Sequence, residues 1–197
     1  MKRVPNILSV FRMLLAPLFV FLFLQDAFWW AALSIPVFIL AALTDYLDGF
    51  YARRYKVSSS LGIFLDPLAD KTLTIAGFIC IPFIDPLQFP WWIIVIIILR
   101  DIFVTLLRIW SDANGKTMIT RYSAKIKTFV QMSFLYIVLL TGVLIKAGGV
   151  AGQASRSLLE TGVLGWLFII VMLITVYTAL EYLFLNRKLF ISDSKNA

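Results

Sequence analysis

Apolar residues in this chain are gathered into long runs, separated by short stretches rich in charge, glycine or proline. Each run reaches the ~20 residues that a helix needs to cross a bilayer. They predict six membrane-spanning helices, over residues 7–24, 28–53, 61–82, 91–111, 120–146 and 158–185. Among the breaks are Gln25-Asp26, the stretch from Arg54 to Ser60, Asp85-Pro86 with Pro90, and the glycine-rich link GGVAGQ. The opening KRVPNILSVFR is basic and partly amphipathic, with Pro5-Asn6 as a turn or cap. Lys2-Arg3 before an apolar run also fits a signal peptide, but Arg12 inside that run, and the run's length, favour an uncleaved first helix. Arg12 is then a cytoplasmic-side residue within reach of a lipid or nucleotide phosphate. Trp29 and Trp30 form an aromatic belt at the start of the second span. That span is longer than a bilayer requires, so its last turns, with Asp45, Asp48 and Arg53, emerge near the interface.

Composition agrees with the runs. Hydrophobic residues make up 61% of the chain and mean hydropathy is +0.91, where a soluble domain is ~45–50% apolar. The expected fold is an all-α integral membrane protein, one domain over residues 1–197. It has no histidine and a single cysteine, Cys80 in an apolar run. That excludes histidine-dependent nucleophilic sites, histidine-ligated zinc and an intrachain disulfide, and leaves carboxylates to carry chemistry.

A net charge of +7 would raise nucleic acid as a partner, but the basic residues flank spans and line no extended soluble face. Of the 18 Lys and Arg, all but Lys146 and Arg156 fall on one side of the six-span arrangement. Basic loops stay inside. Both termini and the functional end are therefore expected in the cytoplasm, with the chain in the cell membrane and no nucleic-acid partner.

The stretch DYLDGFYARRYKVSSSLGIFLDPLAD, from Asp45 to Asp70, holds the candidate chemistry. Asp45 and Asp48 are spaced i, i+3, and Asp66 and Asp70 i, i+4, so on helices each pair shares a face, about 60° and about 40° apart. Two antiparallel helices joined by the short link would let those faces meet. Four carboxylates that close cannot all stay ionised without counter-charge, and a pair of divalent cations with oxygen ligands supplies it. Gly49, Ala52 and Gly62 either permit close helix packing or admit a flat ligand, and Arg53 suits a phosphate.

Written out, the stretch is D-x2-D-G-x2-A-R-x8-G-x3-D-x3-D, filled by Asp45, Asp48, Gly49, Ala52, Arg53, Gly62, Asp66 and Asp70. It resembles the signature of the CDP-alcohol phosphotransferases, membrane enzymes of phospholipid synthesis, and meets every position. The resemblance implies six transmembrane helices and a homodimer. It also implies two Mg2+ or Mn2+ ions on Asp45, Asp48, Asp66 and Asp70, and Asp70 acting as the general base. Gly49, Ala52, Arg53 and Gly62 would hold the CDP-lipid.

The cations further along address the acceptor. In LRDIFVTLLR, Arg100 and Arg108 lie i, i+8 on one face, and Asp101 is a candidate partner for one of them. Arg121, Lys125 and Lys127 follow at the start of the fifth span. With Arg108 they make a candidate basic pocket for a phosphorylated acceptor, because a free alcohol such as serine or choline needs fewer cations. PNILSVFR, R-D-x3-T-x2-R, K-x-K-T-x2-Q and EYLFLNRK resemble the phosphatidylglycerophosphate synthase branch of the family. Asp101 stands where Glu is usual and Ala124 where Gly is usual. The implied substrates are CDP-diacylglycerol and glycerol 3-phosphate. A cardiolipin synthase of the same fold, with phosphatidylglycerol as acceptor, is the nearest rival. An ion-coupled transporter is the rival of another class, but it would carry charge through the whole bilayer depth.

Overall fold

The computed structural model describes residues 4–55, 71–114, 118 and 121–193, and within these the side chains other than those of 4–9, 45–55, 112 and 188–193. Every regular element among the described residues is helical. In chain order they are α1 (Val4–Phe23), α2 (Phe28–Tyr55) and α3 (71–80 within the described residues), which runs into a 3-10 turn at Ile81–Phe83. Then come α4 (Trp91–Ala113), α5 (Tyr122–Ala147), α6 (Gly149–Glu160) and α7 (Val163–Asp193).

Two boundaries differ from the sequence reading. GGVAGQ is not a link: it opens α6, a 12-residue helix. Gly152 lets α6 lie against the end of α5, since a Cβ there would sit 3.1 Å from the Leu144 carbonyl oxygen. The last span starts at Val163 and not near Leu158, because Gly162, at φ +73°, ends α6 in the left-handed region that favours glycine. Pro5 also lies inside the first turn of α1 rather than in a turn ahead of it, where its missing N–H is harmless.

Aromatic rings join the helices. Phe134 of α5 and Phe168 of α7 stack at 5.5 Å, and Phe89, just before α4, meets both edge-on. Phe19 of α1 and Phe38 of α2 meet at 4.8 Å. The outward surface is apolar too: Phe129 is 74% exposed and Leu180 62%. A surface of that kind suits lipid, not water. Tyr122–Ala147 and Val163–Arg187 are long and apolar enough to cross a membrane, with mean hydropathies of 2.0 and 2.4. α4, at 23 residues, is nearly as long but carries Arg100, Asp101 and Arg108 along its length.

The two ends of the bundle differ in character. One gathers the starts of α2, α4 and α7, with Trp29, Trp30, Trp91, Trp92 and Trp166 all exposed, as in an interfacial belt. Lys146 belongs to this end. Its Nζ donates to the carbonyl oxygens of Phe23 and Gln25, both at 2.7 Å, and so closes the last turn of α1. The opposite end holds the start of α3, the second half of α4, the start of α5 and the second half of α7.

Candidate active site at the cationic end of the bundle

α2 is 28 residues long, about 42 Å at 1.5 Å per residue, so its last turns extend past the ~30 Å of a hydrocarbon core. Asp45, Asp48, Gly49, Ala52 and Arg53 all lie on those turns. The helical backbone puts Asp45 and Asp48 one turn apart on one face, as their spacing predicts; their side chains are outside the described residues. Gly62, Asp66 and Asp70 lie outside the described residues altogether. Among the described side chains no cluster of three or more potential metal ligands occurs. The donor set itself fits a hard divalent cation: four carboxylates, in a chain with no histidine and with its one cysteine buried far along α3.

The best-defined part of this end is a charge junction. Asp101 of α4, only 5% exposed, accepts from Lys127 Nζ of α5 at 2.5 Å and from Arg100 Nη1 at 3.0 Å. Gln131 Nε2, one turn beyond Lys127, lies 3.4 Å from the other carboxylate oxygen. Arg100 reaches further: its Nη2 donates to Thr178 Oγ1 of α7 at 2.9 Å. That hydroxyl spends its own proton on the Thr175 carbonyl. Lys71, the first described residue of α3 and the direct neighbour of Asp70, lies close enough for its charge to act on Asp101 and Lys127. Among the described side chains, Arg100 and Lys127 both bond the one carboxylate of Asp101 and Lys71 acts on it, so the described part of the junction carries a positive excess inside the bundle.

A second carboxylate works at the rim. Glu181 of α7 accepts from Arg121 Nη1 at 3.1 Å and from Ser123 Oγ at 2.5 Å, fastening the start of α5 to α7. Tyr182 donates its hydroxyl to Met118 Sδ, and Met118 packs with Val104, Ala179 and Tyr182, so the α4–α5 connection rests on the same stretch of α7.

Of the four cations read as an acceptor-phosphate pocket, Lys127 is buried and already paired, Arg121 is exposed and paired with Glu181, and Arg108 and Lys125 are exposed. Asp101 does take a partner from its own helix, Arg100, as well as one from α5. Sequence reasoning missed Thr178, Glu181 and Gln131 as members of the site. Each lies 30 to 78 positions from its partner, and no local pattern marks such a pair.

Comparison with known proteins adds descent to this geometry. Residues 2–177 match the profile described as CDP-alcohol phosphatidyltransferase. A Salmonella paratyphi A protein named CDP-diacylglycerol–glycerol-3-phosphate 3-phosphatidyltransferase is 31% identical over 187 residues, 92% of this chain and 93% of the relative. The Escherichia coli K12 protein of the same name is 30% identical over the same shares. One from Pectobacterium atrosepticum, also of that name, is 35% identical over 142 residues, 70% of this chain and 76% of the relative. The matched region takes in the aspartate motif on α2, all of the Asp101 junction except Thr178, and the first half of α7. The chain belongs to the CDP-alcohol phosphatidyltransferase family.

Proposed function

We propose that this chain transfers the phosphatidyl group of CDP-diacylglycerol to sn-glycerol 3-phosphate, giving phosphatidylglycerol phosphate and CMP. The observation that carries the reading is the positive excess around Asp101, to which Lys71, the direct neighbour of Asp70 in the chain, contributes. Buried cations in excess of their carboxylates call for an anion, and an acceptor that already bears a phosphate provides one. The names of the relatives support the same substrates.

In this reading six helices span the bilayer as one domain and the cationic end faces the cytoplasm, where the soluble acceptor is. Two copies pair as a homodimer. Asp45, Asp48, Asp66 and Asp70 hold two divalent cations, Mg2+ or Mn2+. Bound there, these neutralise the diphosphate of the CDP-lipid and the charge left on CMP. Gly49, Ala52 and Gly62 leave room beside the backbone for cytosine and ribose, and Arg53 donates to a phosphate. Arg108, Arg121 and Lys125 face the phosphate of the acceptor, with Lys127 adding charge from within the wall. Arg121 exchanges Glu181 for that phosphate as the acceptor arrives. Asp70 takes the proton of the acceptor hydroxyl. The freed oxygen bonds to the phosphatidyl phosphorus while the bond from that phosphorus to CMP breaks.

The test is transfer of label from radiolabelled glycerol 3-phosphate by purified protein in detergent, with CDP-diacylglycerol and Mg2+, and phosphatidylglycerol offered separately. Metal-dependent labelling of lipid from glycerol 3-phosphate is expected. Transfer to phosphatidylglycerol alone would make the chain a cardiolipin synthase and overturn the acceptor assignment. For the base, Asp70→Asn should abolish turnover while CDP-lipid and metal still bind; loss of metal binding would leave Asp70 a ligand only.

A further inference from the structure

Arg100 opens the R-D-x3-T-x2-R stretch without being one of the four cations of the candidate phosphate pocket, yet its setting is that of a ligand-binding group. Its side chain is 13% exposed and pinned along one edge, Nη1 on Asp101 and Nη2 on Thr178. Its Nε–H is buried with no partner among the described residues. An unspent buried donor is costly and rare, and in native proteins it marks a missing water, ion or ligand. Guanidinium is suited to this, because its planar fork can be fixed by one edge while the other donates to a phosphate oxygen.

We propose that Arg100 binds a phosphate of the substrates through its Nε edge, and that Asp101 and Thr178 are positioning residues that aim it. The proposal rests on the phosphatidyl-transfer reading above. Two phosphates reach such a site, that of the soluble acceptor and the diphosphate of the CDP-lipid. Both have the same oxygen chemistry, and kinetics tells them apart.

The experiment measures kcat and the KM of each substrate, by release of CMP, for wild type, Arg100→Lys, Thr178→Val and the double variant. Arg100→Lys keeps the charge beside Asp101 but has no Nε–H. Its KM for one phosphate substrate should rise roughly 10- to 100-fold, the worth of a charge-assisted hydrogen bond, while the other KM stays within about threefold. A rise on glycerol 3-phosphate assigns Arg100 to the acceptor, and a rise on CDP-diacylglycerol assigns it to the donor. Thr178→Val, nearly isosteric, should raise the same KM by a smaller factor. The double variant should be no worse than Arg100→Lys alone, since both act through one guanidinium.

Equal changes in both KM values, a fall in kcat alone, or additive effects in the double variant would each overturn the proposal. Should Arg100→Lys not fold, Thr178→Val decides by itself: a selective KM rise supports the proposal and its absence overturns it. A wild-type protein that does not use glycerol 3-phosphate refutes the acceptor assignment instead, and the CDP-lipid arm still tests Arg100.

Discussion

Replacing Asp101 with leucine should be the most damaging single change at the junction, and more damaging than removing the lysine it binds. Asp101 and Lys127 have side chains only 6% and 4% exposed, so neither can turn to water once its partner is gone. Without the carboxylate, Lys127 and Arg100 are left close together with no counter-charge among the described side chains. Removing one member of a buried pair costs about 3–5 kcal/mol. For a chain of this size each kcal/mol is worth about 2–4 °C in Tm, so Asp101→Leu should melt about 6–20 °C below wild type. Lys127→Met is different, because Asp101 keeps Arg100 at 3.0 Å and Gln131 at 3.4 Å. What is lost is one charge-assisted hydrogen bond, about 1.5–3 kcal/mol before the relief of cation–cation repulsion and the burial of an apolar side chain offset part of it. The double variant, with both partners apolar, should recover at least about 1 kcal/mol relative to Asp101→Leu. Thermal unfolding in detergent, followed by tryptophan fluorescence, checks the order: wild type, Lys127→Met, the double variant, then Asp101→Leu. Lys127→Met melting as low as Asp101→Leu, or a double variant melting lowest, would falsify the view that the carboxylate is the hub.

Other outcomes follow from single contacts. Gly142→Ala puts a Cβ 2.7 Å from Ile84 Cδ1 and 3.1 Å from Phe23 Cζ. Overpacking of about 1–3 kcal/mol should outweigh the helix-propensity gain of about 1 kcal/mol, and adding Ile84→Val should restore most of the lost Tm. Lys146→Met removes the hydrogen bonds to the Phe23 and Gln25 carbonyls at and just past the end of α1 and should cost about 1–2 kcal/mol, with both KM values unchanged because it lies at the tryptophan-rich end. Glu181→Ala should lower Tm by about 2–4 °C, mostly through Ser123, since its partner Arg121 is 61% exposed and that ion pair is screened by salt. Removal of divalent ions with EDTA should abolish transfer, and Mg2+ or Mn2+ should restore it.

The apolar runs made α1, α2, α4 and α5 legible to within a few residues, because a bilayer sets a minimum span length and short polar stretches mark the ends. α6 was not legible. Gly148, Gly149 and Gly152 read as a link between spans, whereas Gly152 is small because a carbonyl of α5 passes close by. At the site, the cations at the head of α5 were visible from spacing, but their partners were not. Lys127 could be matched with a phosphate or with Asp101 equally well on sequence, and only packing of α4 against α5 selects the carboxylate. Glu181 opens the EYLFLNRK stretch, but nothing local tied it to its partners, since the residues it holds lie 58 and 60 positions earlier.

α7 is synthesised after α1–α6, and it supplies Thr178, Glu181 and Tyr182 to three different neighbours. Until it inserts, Arg100 is fixed along only half of its edge, the first turn of α5 has no carboxylate to hold it, and the α4–α5 connection has no anchor for Met118. A nascent chain that has placed its first helices in the membrane thus already carries the aspartates but not an aimed cationic wall. α7 therefore acts as a completeness check on this end of the bundle: a chain cut short before it would keep the aspartates of α2 but lack the contacts that fix Arg100, Ser123 and Met118.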